Sequence, residues 1–487
     1  MEPLPNRQAS VAVDLGAQSC RVSLLRWPRG QAQIKTVDRF PNGPVRSAEG
    51  WRWDIGRILE GVVRGLHAAA ALAPEGIASV AVDGWAVDYV CLDDRGEPAE
   101  DPFCYRDLRT EASERQVHSI LSPARLYALT GVQILRINTL YQLYADKMAR
   151  NQRSPWLLLP EYVCHRLGGR RVAEYTNATH TALVDLGTRN WCQEIFDQLG
   201  LDQTAAPEIV PSGTVIGAIE GQLRGLAAFR GTKLIAAATH DTAAAIAAVP
   251  AEGEDWAFIS SGTWSLVGTV LDAPCVHEEA RRLNFTNLGG AGGKICFLKN
   301  VNGMWTLGQC MEEWERAGHP TSDAQLVAAS EGLPKPRTLI DVDQPELMLP
   351  GNALEKINGQ LERLGHPPFP LAPAAIPEIA NLLFHSLAAR YASVVSSIQR
   401  ITGRKLRRLF IVGGASQNHY LNRLTAECSG LEVVRGAAEA TTIGNLAIQL
   451  AALNGDSSPS TGVRAAAVAR YASELMASSF ATDHEPD

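Results

Sequence analysis

Thr239-His240-Asp241-Thr242 lies between a short apolar run, Leu234–Ala238, and an Ala-rich stretch, Thr242–Ala248. The pattern predicts a strand running into a helix with a carboxylate at the junction. An aspartate at a helix start keeps its charge and faces the crevice at the strand ends, where doubly wound sheets bind ligands. There it can take a hydroxyl proton while that oxygen attacks a phosphoryl group. Asp241 or Thr239 would equally serve as a simple helix cap, satisfying free backbone donors.

Other residues could hold phosphate. Val11–Leu25 is two apolar runs joined by a short polar turn around Gly16, the pattern of a hairpin. Small residues there let backbone N–H groups converge on an anion, and Ser19 adds a hydroxyl. In that role Asp14 would hold a hydrated Mg²⁺ and Arg21 would offset negative charge; otherwise Asp14 and Gly16 only shape a turn. Trp256–Gly268 repeats the layout around Gly262, half the chain away, with Ser260, Ser261 and Thr263 in its turn. Two such copies, one opening each half, point to a duplicated architecture. Gly413-Gly414 stands before a third candidate helix, where glycines admit a flat ring or phosphate, or simply make a tight turn.

Several function classes drop out. The 487 residues include 45 Lys+Arg and 52 Asp+Glu, a net charge of −7, with no basic stripe for a nucleic-acid backbone. The hydrophobic share, 46%, is that of an ordinary globular protein. No uncharged apolar run approaches the roughly 20 residues of a membrane helix. Met1–Ser10 has no basic segment leading into an apolar stretch, and nine scattered cysteines form neither a CxxC pair nor zinc-finger spacing. Reduced thiols and a cytoplasmic location are therefore expected. There is no GxxxxGK[ST] and no GxGxxG after a strand; Gly289-Gly290-Ala291-Gly292-Gly293-Lys294 continues into Ile295.

These residues need elements to hold them. Ile77–Leu92 alternates in the manner of another hairpin, carrying Asp83, Gly84, Trp85 and Asp88. Ser122–Arg150 is predicted helical, with Pro123 near a start. Pro377–Arg400 repeats apolar residues at helical spacing; Leu406–Val412 is a strand, Asn418–Ser429 a helix and Leu431–Val434 a strand. Alternating strands and helices argue for an α/β fold. The Pro/Gly connection Pro250–Glu254 suggests a first domain over 8–249 and a second over 254–453, followed by a helix and tail over 454–487.

Asp14-Leu15-Gly16-Ala17, His240-Asp241-Thr242, Ser260-Ser261-Gly262-Thr263-Trp264 and Val412-Gly413-Gly414 together resemble the FGGY carbohydrate kinases. The similarity runs from about Val11 to Leu453. It implies an α/β fold of two actin-like (ribonuclease H-like) domains, each a mixed sheet flanked by helices, with a cleft between them. It also implies transfer of the γ-phosphoryl of ATP to a sugar hydroxyl, with Mg²⁺ bridging phosphates. Asp83-Gly84-Trp85-Ala86-Val87-Asp88, Tyr105-Arg106-Asp107, Asn138–Leu143, Glu174–Thr179, Asn287–Gly290 and Leu298-Lys299-Asn300 narrow the resemblance to members acting at O1 of L-rhamnulose.

The resemblance assigns roles by position. Asp241 is the base and, with Ala86, His240, Thr242 and Asn300, lines the sugar, while Trp85 packs against it. Ala17, Gln18, Ser19, Cys20 and Arg21 match the first phosphate loop, Thr263 the second, and Gly414 the adenosine loop. An ATP-contacting Gln of the family falls at Gly308, with Gln309 adjacent. Gln18 and Cys20 replace the family's usual Ser and Gly; a left-handed backbone at Cys20 would be strained. One methyl group in a pocket is worth about 1–3 kcal/mol, so L-fuculose and L-xylulose stay open as substrates. From another class, a non-catalytic ATP-binding sensor or chaperone on the same fold would need no base at Asp241. The partners expected are ATP and a small ketose, with no nucleic acid or membrane.

Overall fold

The computed structural model describes residues 8–150, 153–262, 264–370, 372–458 and 460–482. Thr263 lies outside the described residues. Two compact units form, and each takes more than one segment of the chain.

The first unit is built on a sheet of β1 (Ala9–Leu15), β2 (Ser19–Arg26), β3 (Gln33–Pro41), β4 (Ile77–Gly84), β5 (Thr214–Ala218) and β6 (Lys233–Ala236), in the order β5–β6–β4–β1–β2–β3. β1, β2 and β3 are antiparallel neighbours; β4 runs parallel to β1, and β6 parallel to β4. All seven residues of β1 are buried, which is why it is an apolar run rather than an alternating one: a central strand is covered on both faces. The helix Ile55–Leu72 follows from Asp54, whose side chain accepts from the Arg57 N–H, and it turns Ile58, Val62, Leu66 and Ala69 inward. α1 (Asp241–Ala247) follows β6 as expected.

The hairpin expected over Ile77–Leu92 does not form. β4 pairs with β1 and β6, whereas Tyr89–Cys91 turns away to pair with Trp156–Leu158. The change of partner happens at Val87, a β-branched residue held at φ +74°. Its carbonyl oxygen accepts from Thr139 Oγ1 (2.7 Å) and Gln142 Nε2 (3.2 Å), which hold the bend.

The second sheet contains β7 (Trp256–Ser261), β8 (Ser265–Leu271), β9 (Thr286–Gly289), β10 (Ile295–Val301), β11 (Arg408–Val412) and β12 (Glu432–Arg435), in the order β9–β10–β8–β7–β11–β12. β7 and β8 are antiparallel, and β11 and β12 continue parallel to β7. The central pattern of the first sheet, an antiparallel hairpin with two parallel strands on one side, is thus repeated. The duplication read from the two Gly turns is present in the topology. The long helix Ile376–Thr402 and the helix His419–Ser429 lie within two residues of their expected bounds.

The compact units differ from the linear division at residues 250–254. Residues 271–297 and 440–487 belong with the first unit, and the second comprises 251–270 and 298–439. The reason is visible in α2 (Ala440–Leu453). Gln449 donates to the Val11 carbonyl (3.0 Å) and accepts from Ser79 Oγ (2.6 Å), both on the first sheet. The helix of the tail, Ala465–Thr482, also falls in this unit. All nine cysteines are free thiols, and no helix among the described residues is long and apolar enough to cross a membrane.

Candidate active site

Three chain segments end together in the first unit. The Gly84 N–H donates to the Thr239 carbonyl (3.0 Å) and the Trp85 N–H to the Leu15 carbonyl (3.3 Å), tying the ends of β1, β4 and the segment after β6. Register pairs Asp14 with Arg21 on β2 and with Asp83 on β4, so the three side chains stand in a row on one face. Arg21 donates to Asp14 Oδ2 at 2.6 Å. Asp83 is fully buried, accepts from Asn445 Nδ2 and leaves Oδ1 without a partner. Burial first, and then the Asp14 charge, drive its carboxyl well above the usual carboxylate range.

Asp241 is the first residue of α1. Its Oδ1 accepts from the Thr242 N–H and hydroxyl, while Oδ2 accepts from nothing among the described residues, and the side chain is 34% exposed. It does not cap the helix; His240 occupies the cap position without a side-chain bond. Nor does Thr239 cap it. Thr239 Oγ1 donates to Glu161 Oε1 (2.7 Å) and its N–H to Glu174 Oε2 (3.1 Å). Burial pushes Asp241 up to about 6, against the Thr242 donors and Arg21. The expectation of a carboxylate fully charged by its place at a helix start is thereby modified: α1 has seven residues, and desolvation outweighs the favourable partners.

The first turn is braced from outside. Asn42 Nδ2 donates to the Gly16 carbonyl and its N–H to the Gln18 carbonyl, both at 2.9 Å, and Arg39 donates to Ser19 Oγ. Ala17 and Ser19 are partly exposed, and Gln18 is exposed. Cys20 does not take the left-handed backbone; it lies on β2 opposite Leu15, buried, so no strain arises there. Burial pushes its thiol up to about 12, which keeps it protonated.

Ala86 is buried at the bend before Val87. Trp85, expected against a sugar, is only 6% exposed; its ring sits 4.4 Å from Trp53, and both indole N–H groups donate to Asp88 Oδ2. The indole is therefore committed to the core of the first unit.

Asn300, Gly308 and Gly414 belong to the second unit. Asn300 is on β10, and Gly308 is on the helix Trp305–Arg316, with open space where a Cβ would stand. The neighbouring Gln309 is engaged: Oε1 accepts from the Gly351 N–H (2.8 Å) and Nε2 donates to Glu312. Of the two positions, Gly308 is the open one. The second turn is held by Ser261 Oγ to Ser265 Oγ (2.9 Å) and Ser265 Oγ to the Tyr391 hydroxyl (2.6 Å). Gly413 has φ +86°, and a Cβ on it would meet the Ser261 carbonyl at 2.7 Å; a Cβ on Gly414 meets nothing.

Sequence reasoning passed over Glu161, Glu174, Asp83 and His180 as functional residues. Glu161 did leave a signal, an acid inside the apolar run Trp156–Cys164. With Glu174, which burial pushes up to about 7, it fixes Thr239 beneath the junction.

The site thus sets a partly exposed carboxylate oxygen at the strand ends of a duplicated α/β fold. The model of the N-terminal domain of the FGGY family of carbohydrate kinases matches residues 9–248, and that of its C-terminal domain residues 257–453. A rhamnulokinase of Enterococcus faecalis is 35% identical over 452 residues, covering 92% of this chain and 90% of that one. A rhamnulokinase of Bacteroides thetaiotaomicron is 34% identical over 449 residues, covering 91% and 90%. The solved structure of ligand-bound xylulose kinase from Lactobacillus acidophilus superposes with a TM-score of 0.76 at 16% identity, covering 97% of each chain. The chain belongs to the FGGY family of carbohydrate kinases. It is an ATP-dependent sugar kinase.

Proposed function

We propose that this kinase transfers the γ-phosphoryl group of ATP to O1 of L-rhamnulose, giving L-rhamnulose 1-phosphate and ADP. The observation that carries the chemistry is Asp241, whose Oδ2 has no hydrogen-bond partner among the described residues and whose side chain is partly exposed. The choice of sugar is supported by the rhamnulokinases it resembles over nine-tenths of its length.

In this reading Asp241 takes the proton of the sugar's primary hydroxyl as that oxygen attacks phosphorus. His240, Thr242, Ala86 and Asn300 orient the sugar, with Trp85 stiffening the wall behind Ala86. Ala17, Gln18, Ser19, Cys20 and Arg21 hold phosphate, with Thr263, Gly308 and Gly414 completing the ATP contacts. Exclusion of water matters, because a site open to water would hydrolyse ATP.

The residues present suit a magnesium ion. Asp14 carries a hard carboxylate of the kind magnesium takes, with its Oδ2 also accepting from Arg21 (2.6 Å). A cation there would be held through that one carboxylate, waters and substrate phosphates. When bound, the ion would neutralise charge on the transferring phosphoryl group.

The test is ADP release by the purified chain with L-rhamnulose, L-fuculose, L-xylulose or no sugar. The highest kcat/KM is expected with L-rhamnulose. A higher value for another ketose reassigns the substrate, and ADP release independent of every ketose removes the reading altogether.

A further inference from the structure

His180 stands in the turn Thr179–Thr181, and its Nε2 lies 3.1 Å from Nδ1 of His240, with ring centroids 4.0 Å apart. On the far side of the same imidazole, His240 Nε2 is 3.3 Å from Asp241 Oδ1. The His240 imidazole thus stands between His180 and the Asp241 carboxylate. The turn carrying His180 is firmly set: its carbonyl accepts from Asn138 Nδ2 (3.1 Å), and the Thr179 and Thr181 hydroxyls donate to the Thr176 and Ala178 carbonyls.

Both rings are kept neutral. Burial drives His240 down to about 3 and His180 well below the ordinary histidine range, and His180 is further opposed by its neighbour. A neutral imidazole has one N–H, so the contact between the rings uses one proton from one partner. Were His240 to donate from Nδ1, its Nε2 would turn a lone pair toward the carboxylate oxygen of Asp241, acceptor against acceptor. With His180 donating from Nε2, His240 accepts on Nδ1 and carries its own proton on Nε2, facing Asp241. Electrostatics selects the second arrangement.

We propose that His180 is a positioning residue of the phosphoryl-transfer reaction: it fixes His240 as the Nε2–H tautomer, which directs an N–H at the base Asp241. This rests on the assignment of Asp241 as the base. At 3.3 Å from Oδ1 the N–H dipole favours the ionised carboxylate by electrostatic attraction from that side, leaving Oδ2 as the oxygen presented to the sugar hydroxyl. The other charged groups that bear on Asp241 are Arg21 from β2, which favours ionisation, and Asp83 from β4, which opposes it. Neither is touched by a change at His180.

The test uses the full chain with His180→Ala and His180→Gln, the latter restoring a side-chain N–H donor. For His180→Ala, kcat measured below the acid limb should fall about tenfold, the effect of a base protonated one pKa unit higher. The acid limb of its pH profile should move up by about one unit, the same free energy seen as a pKa. The KM for ATP should stay unchanged, and His180→Gln should recover both kcat and the limb. Nitrogen-15 spectra of the wild-type histidine rings should show His240 protonated on Nε2, a readout that needs neither turnover nor a folded variant. His240 found protonated on Nδ1, a His180→Ala acid limb identical to wild type, or a Gln variant as impaired as the Ala one would each overturn the proposal. The two assignments fail separately. Normal turnover by Asp241→Asn removes the base and this inference with it, whereas an inactive Asp241→Asn beside an unshifted His180→Ala removes the tautomer role alone.

Discussion

Gly444 on α2 rests directly on the backbone of Ala244 in α1: a Cβ at residue 444 would stand 1.8 Å from the Ala244 carbonyl oxygen. No side chain fits there. One residue on, Asn445 reaches Asp83, and a turn later Gln449 reaches Val11 and Ser79. The close approach therefore sets where α1 lies, and with it the residue that starts α1, Asp241.

Gly444→Ala should destabilise the chain by about 1–3 kcal/mol or more, since backbone and not a flexible side chain must give way. Chemical denaturation followed by tryptophan fluorescence measures it. Because α1 is displaced, kcat should fall as well. A variant as stable and active as wild type would show that the two helices are not held at this distance.

As the proposed base, Asp241 sets a pH limb. Asp241 is pushed up to about 6 by burial, and only its ionised form can accept a proton. Activity should therefore rise with pH through about 6 and level off above it. Asp241→Asn, which removes the acceptor but keeps the shape, should lower kcat by about 10²–10⁴-fold, the usual worth of general-base catalysis, while ATP still binds. ATP affinity by calorimetry separates a lost base from a lost fold.

Much of this arrangement was legible in the sequence, and the physics says which parts were not. The β1–β2 and β7–β8 hairpins follow from apolar runs broken by one small polar turn, a local property. Helix bounds at 376–402 and 419–429 follow from periodicity, also local. The failed hairpin at 77–92 shows the limit: alternation predicts strands, yet partner choice depends on Trp156–Leu158, more than sixty residues away. A left-handed Val87 gives no compositional warning, because nothing in a β-branched residue favours that backbone. The membership of α2 in the first unit was equally hidden, since an apolar helix face does not name what it will cover. Asp241 was singled out as a candidate from its neighbours in sequence. His180 was not, being brought to His240 only by the fold.

Asp88 provides a test of the core behind Ala86. Its Oδ2 accepts from the Trp53 and Trp85 indoles (2.6 and 2.9 Å) and the Tyr105 N–H, and its Oδ1 accepts from Gln142 Nε2. Gln142 cannot reverse its amide, because Nε2 also donates to the carbonyls of Val87 and Ile137. Asp88→Asn then sets donor against donor and should lose about 1–3 kcal/mol. Burial raises Asp88 to about 6, so its contribution is full below the ordinary carboxylate range and declines as pH rises through 6. The deficit of the Asn variant should accordingly narrow as pH rises from about 4 to about 6 and hold steady above that, in denaturation curves taken from pH 4 to 8.

Gly413 and Gly414 look alike in the sequence, but the structure gives them opposite roles. Gly413 has a positive φ and lies against the Ser261 carbonyl, so Gly413→Ala carries both backbone strain and a clash and should lose about 1–3 kcal/mol of stability. Gly414 has neither constraint, since its missing side chain would project into open space. If that space is where the nucleotide lies, Gly414→Val should fold with near-normal stability yet raise the KM for ATP several-fold more than the KM for the ketose. Thermal unfolding of both variants, with steady-state kinetics for Gly414→Val, distinguishes the roles. An unchanged ATP KM in a stable Gly414→Val protein would move the nucleotide away from this loop.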